Sequence, residues 1–285
     1  MNYRHAYHAG NFADVFKHCL MVGLFRSLQR KGAGFLFVDT HAGRGSYDLQ
    51  GAASGSTLPR EPEWPNGIGR LCSAGAPPAP VADYLRVARA FDLGRGGPGG
   101  EPRHYPGSPA LAAALARPQD RLELWERQPD ECAALRSEMA GRPRTAVHEA
   151  DGYGALRACL PPAERRALVL IDPPFEAQGE WALIQGALSE GLSRFATGVY
   201  AVWHPVSERA GGGDFPSWAG GLGAPVLHVT LLGPPKVMGM RGCGVYVVNP
   251  PWQFEDEARL TAGFLSGALY RAGEAQASIR WISPR

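Results

Sequence analysis

Four short, mostly apolar runs, each ending at or just before an acidic residue, constrain this chain more than any other feature. They are Phe35–Val38 before Asp39, Leu122–Trp125 before Glu126, Thr145–His148 shortly before Asp151, and Ala167–Ile171 before Asp172. A strand buried on both faces reads as such a run rather than as an alternation. Helical spacing separates the runs over Asp130–Ala140, Tyr153–Leu160 and Glu180–Phe195, and an earlier helix is predicted from Phe12 to Gln29. Later runs at Gly198–Trp203, Val226–Leu232 and Val245–Val248 extend the sheet. Strand alternating with helix predicts an α/β fold with a doubly wound, mostly parallel sheet. Ligands of such sheets lie outside the carboxyl ends of the strands, where these acidic residues would stand.

One stretch breaks the rhythm. Leu49–Arg103 carries Pro59, Pro62, Pro65, Pro77, Pro78, Pro80 and Pro98, with a glycine-rich run at Gly94–Gly100 and one helical pattern at Val81–Phe91. We read residues 49–103 as a small inserted helical subdomain within a core formed by 1–48 and 104–285. The net charge of +2 means that a polyanionic partner needs a local basic patch. Five scattered cysteines without a C-x-x-C pair argue against a zinc ribbon or disulfide framework and for a reducing compartment. Met1–Gly10 lacks a signal-peptide apolar region, and no early apolar stretch is long enough for a bilayer. The expectation is a cytoplasmic monomer with no membrane contact.

The chemistry gathers at the strand ends. In Asp39-Thr40-His41-Ala42-Gly43-Arg44-Gly45 the glycines allow close approach of a nucleoside, although a plain tight turn has the same pattern. No Gly-Lys-Ser/Thr follows, so this is not a phosphate-binding P-loop. Glu126 is a candidate acceptor for ribose hydroxyls, and Asp151-Gly152 for an adenine amino group. In this order the three elements describe a pocket for an adenosine-bearing cofactor. Asp172-Pro173-Pro174-Phe175 is the sharpest signal. Two prolines stiffen the turn, so the Asp172 carboxylate and the Pro173 carbonyl form a pair of acceptors for one amino group beside the aromatic face of Phe175. An amine attached to an aromatic base is a poor nucleophile, and acceptors around its hydrogens stabilise the positive charge that grows on alkylation.

Two further segments compete for attention. Asn249-Pro250-Pro251-Trp252 has the same form, but it follows at least six strands. It is therefore expected near the sheet edge, with the structural role of ending a strand and starting a helix near Glu255. The N-terminal Tyr3, Arg4, His5, His8, Asn11, Asp14, Lys17 and His18 interleave basic and aromatic residues, which suits RNA as well as a solvated face. A metal site is not expected there, because His5, His8 and His18 do not share one helix face.

Taken together, Tyr3-Arg4-His5-x-x-His8-Ala9-Gly10-Asn11-x-Ala13-Asp14-Val15-x-Lys17-His18, Asp39–Gly43, Tyr105-Pro106-Gly107-Ser108-Pro109, Ile171–Pro174 and Val248–Trp252 resemble the bacterial 23S ribosomal RNA adenine-N6 methyltransferases of the RlmJ type. The resemblance spans nearly the whole chain and is weakest over Leu49–Arg103. It implies a Rossmann-like class I methyltransferase that uses S-adenosylmethionine on one adenine of 23S rRNA, either naked or in an early assembly intermediate. It further implies cofactor contacts from His18, His41, Ser108, Glu126, Asp151 and Gly152, to which Gly43 and Asp172 are added as cofactor-binding candidates. Asp172 would accept from the reacting amine, Tyr3 would meet the RNA, and Arg4, His5 and Lys17 would add to that surface. Phe175 stands where the family often has Tyr, and His204 where Tyr is expected. The alternatives are a DNA adenine-N6 methyltransferase, a protein glutamine methyltransferase acting through Asn249, a non-catalytic binder of S-adenosylmethionine and RNA, and a histidine-dependent metal hydrolase.

Overall fold

The computed structural model describes residues 7–51, 61–176, 179–207, 211, 213–234 and 239–283. Strand β1 (Leu36–Asp39) pairs in parallel with β4 (Arg121–Glu126) on one side and β6 (Ala167–Ile171) on the other. Strand β5 (Thr145–Glu149) adds beyond β4, and β7 (Val199–Val206) beyond β6, both parallel. The chain thus builds outward from β1 in one direction and then in the other. That reversal opens the crevice at the strand ends that ligands of doubly wound sheets occupy.

The far side of the sheet is antiparallel. Strand β9 (Gly242–Val248) lies between β7 and β8 (Val226–Leu232), and β10 (Gln276–Ser283) closes the edge beyond β8. The full order is β10-β8-β9-β7-β6-β1-β4-β5. This is the Rossmann-like class I methyltransferase architecture that the sequence predicts. One expectation is corrected here. Asn249 does not end an edge strand, because β9 is interior. It runs against β7, so Asn249 emerges at the end of the sheet opposite Asp172. There its Nδ2 donates to the carbonyls of Ala196 and Gly198, both at 2.8 Å.

Burial explains the apolar runs. Phe35 and Phe37 face a core shared with α1 (Phe12–Gln29) and α9 (Phe254–Leu269), while Leu36 and Val38 face a second core with α6 (Ala155–Cys159) and α7 (Glu180–Arg194). Both faces are covered, so the strand has no polar alternation. Strand β10 escaped the sequence reading for the opposite reason. It is an edge strand in which Gln276, Ser278 and Arg280 interleave with Ala277, Ile279 and Trp281, so it forms no continuous apolar run.

Helix α1 begins at a capped end. The Asn11 side chain accepts from the backbone N–H groups of Ala13 and Asp14. Within the predicted insertion, α2 (Ile68–Cys72) and α3 (Ala79–Leu93) pack on α9 and α1 respectively. Pro80, which reads as a loop residue, sits in the first turn of α3, where a missing N–H costs nothing. A short antiparallel pair, β2 (Ser46–Asp48) with β3 (His104–Pro106), brackets this segment. It delivers the chain to α4 (Ser108–Leu115). All five cysteines are free thiols. Among the described residues, no helix is long and apolar enough to cross a membrane.

Candidate active site

The diproline corner begins where the wholly buried β6 ends, so the Asp172 carboxylate emerges from the middle of the sheet. Phe175 closes the corner with φ 51°, a left-handed conformation that costs a non-glycine residue energy. Its ring meets Trp181 edge-on at 5.2 Å and Trp203 at 6.1 Å. These two tryptophans, from α7 and β7, complete an aromatic wall that the sequence reading did not assemble.

Helix α1 supplies the residue beneath the corner. Lys17 Nζ lies 2.5 Å from Asp172 Oδ2 and 3.0 Å from Asp14 Oδ1. All three side chains are largely buried, at 7% exposure for Lys17, 4% for Asp14 and 13% for Asp172. Burial opposes charge on Lys17, but the carboxylates of Asp14 and Asp172 outweigh it and hold the ammonium pKa well above its ordinary value. Lys17 is therefore not the surface cation facing RNA that its sequence neighbourhood suggests. It is an internal counter-ion, 5.9 Å above the Trp203 ring.

Asp39, at the end of β1, faces the same centre. It is fully buried, and burial together with the Asp172 charge pushes its pKa up to about 7, against the pull of the Ser108 hydroxyl, Lys17 and the His41 N–H. Its Oδ2 has no hydrogen-bond partner. The sequence places Asp39 at the head of the glycine turn without giving it a contact of its own, although its position matches that of Asp172.

The glycine turn is held by one neighbouring β–α unit. Gly43 N donates to Glu126 Oε2 at 2.9 Å, and the other Glu126 oxygen accepts from Gln128 N at 2.7 Å. Burial raises the Glu126 pKa, while the backbone donors resist the shift. Helix α5 (Pro129–Glu138) adds two anchors. Arg44 makes a two-pronged ion pair with Glu131, and Ser46 donates to Glu138 at 2.6 Å. Arg95, from the loop after α3, also pairs with Glu138.

His41 joins the turn to the other loops. Its ring lies 5.0 Å from Tyr153, edge to face. Burial lowers its pKa to about 4 although Asp172 and Asp151 oppose the shift, so the imidazole is neutral near pH 7. Asp151 is exposed and caps the turn at Tyr153 N. Gly152 is constrained by packing, since a Cβ there would sit 1.6 Å from the Thr40 carbonyl. His18 lies deeper, with Nδ1 2.8 Å from the Tyr105 hydroxyl and its ring stacked on Tyr105, beside α3. His8 turns away to Glu63. Tyr3, Arg4 and His5 lie outside the described residues.

The charge of the site and one orphaned acceptor decide which cofactor its residues could hold. Asp39, Asp151, Asp172 and Glu126 outnumber Lys17 at this site, which favours a cationic ligand and disfavours a polyphosphate. The orphaned Asp39 Oδ2 calls for a buried donor, such as the amino group of the cofactor.

Comparisons with known proteins agree with this geometry. Residues 32–283 match the family model described as "Ribosomal RNA large subunit methyltransferase D, RlmJ". The chain is 38% identical to "Ribosomal RNA large subunit methyltransferase J" of Escherichia coli (strain K12) and 37% identical to the protein of that name from Haemophilus influenzae. Each alignment covers 100% of this chain and 99% of the relative. A crystal structure from Legionella pneumophila superposes with a TM-score of 0.86 at 32% identity, covering 96% of this chain and 98% of that one. With a buried counter-ion under the diproline corner, a neighbouring glycine turn and full-length relatives of one kind, the chain belongs to the RlmJ family of ribosomal RNA large subunit methyltransferases.

Proposed function

We propose that this protein transfers the methyl group of S-adenosylmethionine to the exocyclic N6 amine of one adenine in 23S rRNA. The cofactor, when bound, supplies an electrophilic methyl on a sulfonium. Asp39, Glu126, His41 and the turn at 42–45 hold it, with Ser108 buried beside Asp39 and Asp151 at the exposed rim. Ser46–Glu138 and Arg44–Glu131 keep that turn still, so little reorganisation accompanies binding.

The acceptor amine is taken by Asp172 and the Pro173 carbonyl. Asp172 Oδ2 is already committed to Lys17, which leaves Oδ1 for an N6 hydrogen. Phe175 presents its face to the base, a contact worth about 1–3 kcal/mol by analogy with single-strand binding proteins. The neutral amine is far too weakly acidic to be deprotonated first. Asp172 therefore holds the amine during attack and receives the proton after transfer, directly or by way of water. The adenine must be unstacked to reach the corner, from a single-stranded region or by flipping. We take residues 49–103 as a subdomain inserted into one catalytic core, and naked rRNA or an early assembly intermediate as the substrate.

The observation that carries this reading is the Asp172–Lys17 pair beside the buried Asp39 carboxylate, whose Oδ2 has no partner. It joins an amine-accepting corner to a cation-holding turn within one site. The test offers labelled S-adenosylmethionine with deproteinised 23S rRNA, DNA and protein in parallel, followed by nucleoside mass spectrometry. N6-methyladenosine formed in the RNA arm alone supports the proposal. Label in DNA or protein, or none in RNA, sinks it.

A further inference from the structure

Behind the aromatic wall, two buried histidines meet across a strand. His204 on β7 and His228 on β8 place their Nε2 atoms 2.9 Å apart, each residue being 6% exposed. Strand β9 runs between them, and its Gly244 leaves the necessary gap. A Cβ there would lie 2.4 Å from His204 Nε2 and 2.9 Å from His228 Nε2.

The hydrogen bonds fix the tautomers. His204 Nδ1 lies 3.2 Å from the Pro205 carbonyl, which only accepts, so Nδ1 carries the proton. A neutral His204 then presents a lone pair at Nε2, and His228 must donate its Nε2–H. That leaves His228 Nδ1 a bare, buried lone pair without a partner. Burial lowers the His204 pKa to about 4. Burial, His204 and Arg280 of β10 lower that of His228 to about 2, so both rings stay neutral. His228 lies flat on Tyr246, with centroids 3.8 Å apart and an interplanar angle of 6°. His204 stacks on the same ring at 5.0 Å and reaches Trp181 at 5.5 Å. Trp181 is the residue against the edge of Phe175.

We propose that the His204–His228 pair is a positioning element that sets Trp181 and, through it, Phe175, and so governs how tightly the acceptor base is held without taking part in methyl transfer. This rests on the base-stacking role given to Phe175 above. A directional hydrogen bond suits the task better than apolar packing, because it fixes the rotation of the His204 ring that abuts Trp181.

The test compares wild type with His204→Phe, His228→Phe, His228→Gln and Phe175→Ala. It measures KM for an RNA transcript, kcat, and the Kd for S-adenosylmethionine. Phenylalanine keeps a flat ring but breaks the pair, whereas glutamine restores an N–H near the Nε2 position. Both phenylalanine variants are expected to raise the RNA KM at least five-fold, with kcat and cofactor Kd within two-fold of wild type. His228→Gln is expected to return KM to within two-fold. Long-range proton–nitrogen spectra of the wild-type rings are expected to show His204 protonated at Nδ1 and His228 at Nε2. If the phenylalanine variants fail to fold, His228→Met supplies the donor-free comparison. An unchanged RNA KM in the donor-free variants, equal defects in the glutamine and donor-free variants, or the opposite tautomers would overturn the proposal. Wild-type protein that methylates no RNA would sink the function itself. RNA methylation with a raised KM in Phe175→Ala alone would sink only the positioning role.

Discussion

Lys17 Nζ and Asp172 Oδ2 lie 2.5 Å apart, although 155 positions separate them in the chain. The ammonium blocks one oxygen of the acceptor carboxylate and leaves the other for substrate. It also sets a positive charge where Asp172, Asp39 and Asp14 crowd the same region. Removing one partner of a buried ion pair leaves the other charge uncompensated, at a cost of about 3–5 kcal/mol. Lys17→Met is expected to lower the urea-unfolding free energy by that amount and to abolish turnover.

Asp172→Ala and Asp172→Asn separate binding from chemistry. Both are expected to eliminate methylation of deproteinised 23S rRNA, since neither can receive the proton. Titration calorimetry with S-adenosylmethionine is expected to give a Kd within a few-fold of wild type. Near-normal methylation by either variant would remove Asp172 from its role.

Phe175→Ala is expected to raise the RNA KM by roughly ten-fold, within the range that a loss of about 1–3 kcal/mol of stacking allows. Phe175→Tyr keeps the face and should leave KM within two-fold. Steady-state kinetics at saturating cofactor distinguish the two.

Gly152→Ala would push a methyl into the Thr40 carbonyl at 1.6 Å. The β1 and β5 loops must then separate, and overpacking of this kind costs about 1–3 kcal/mol or more. A lower Tm and a weakened cofactor Kd are expected together, measured by thermal melts with and without S-adenosylmethionine.

The pKa of Asp39, raised to about 7, predicts a pH signature. Between about pH 4 and 7 the folded chain holds a proton at Asp39 that the unfolded chain has released. This group's contribution to stability is therefore present at low pH and is lost as pH rises through that window, by at most about 1.4 kcal/mol per unit. His41, His204 and His228 act oppositely, because their lowered pKa values weaken the fold as pH falls below the unfolded value of about 6.5. Urea unfolding of wild type against Asp39→Asn at pH 5 and pH 7 cancels the histidines. The wild type is expected to lose ground to the variant at the higher pH.

The parts of this site that could be read from sequence were the local ones. Asp172–Phe175, the turn at Asp39–Gly45 and Glu126 each occupy a few consecutive residues after a buried strand, so pattern and position identified them. Lys17 reads from sequence as a surface charge because Asp172, the more distant of its two partners, is 155 positions away and its burial depends on how α1 docks. Trp181 and Trp203 carry no motif, and only the corner brings their rings to Phe175. The His204–His228 contact depends on a glycine in a third strand, which no local pattern reveals.

The two diproline segments show what strand direction decides. Asp172 and Asn249 both leave an apolar strand through a pair of prolines, yet β6 and β9 point opposite ways, so the second copy opens onto the sheet's other rim. Converting Asn249 to Asp would only strip the Ala196 and Gly198 carbonyls of their donor. Two acceptors with matching chemistry make a catalytic centre only when the polypeptide arrives from the correct side.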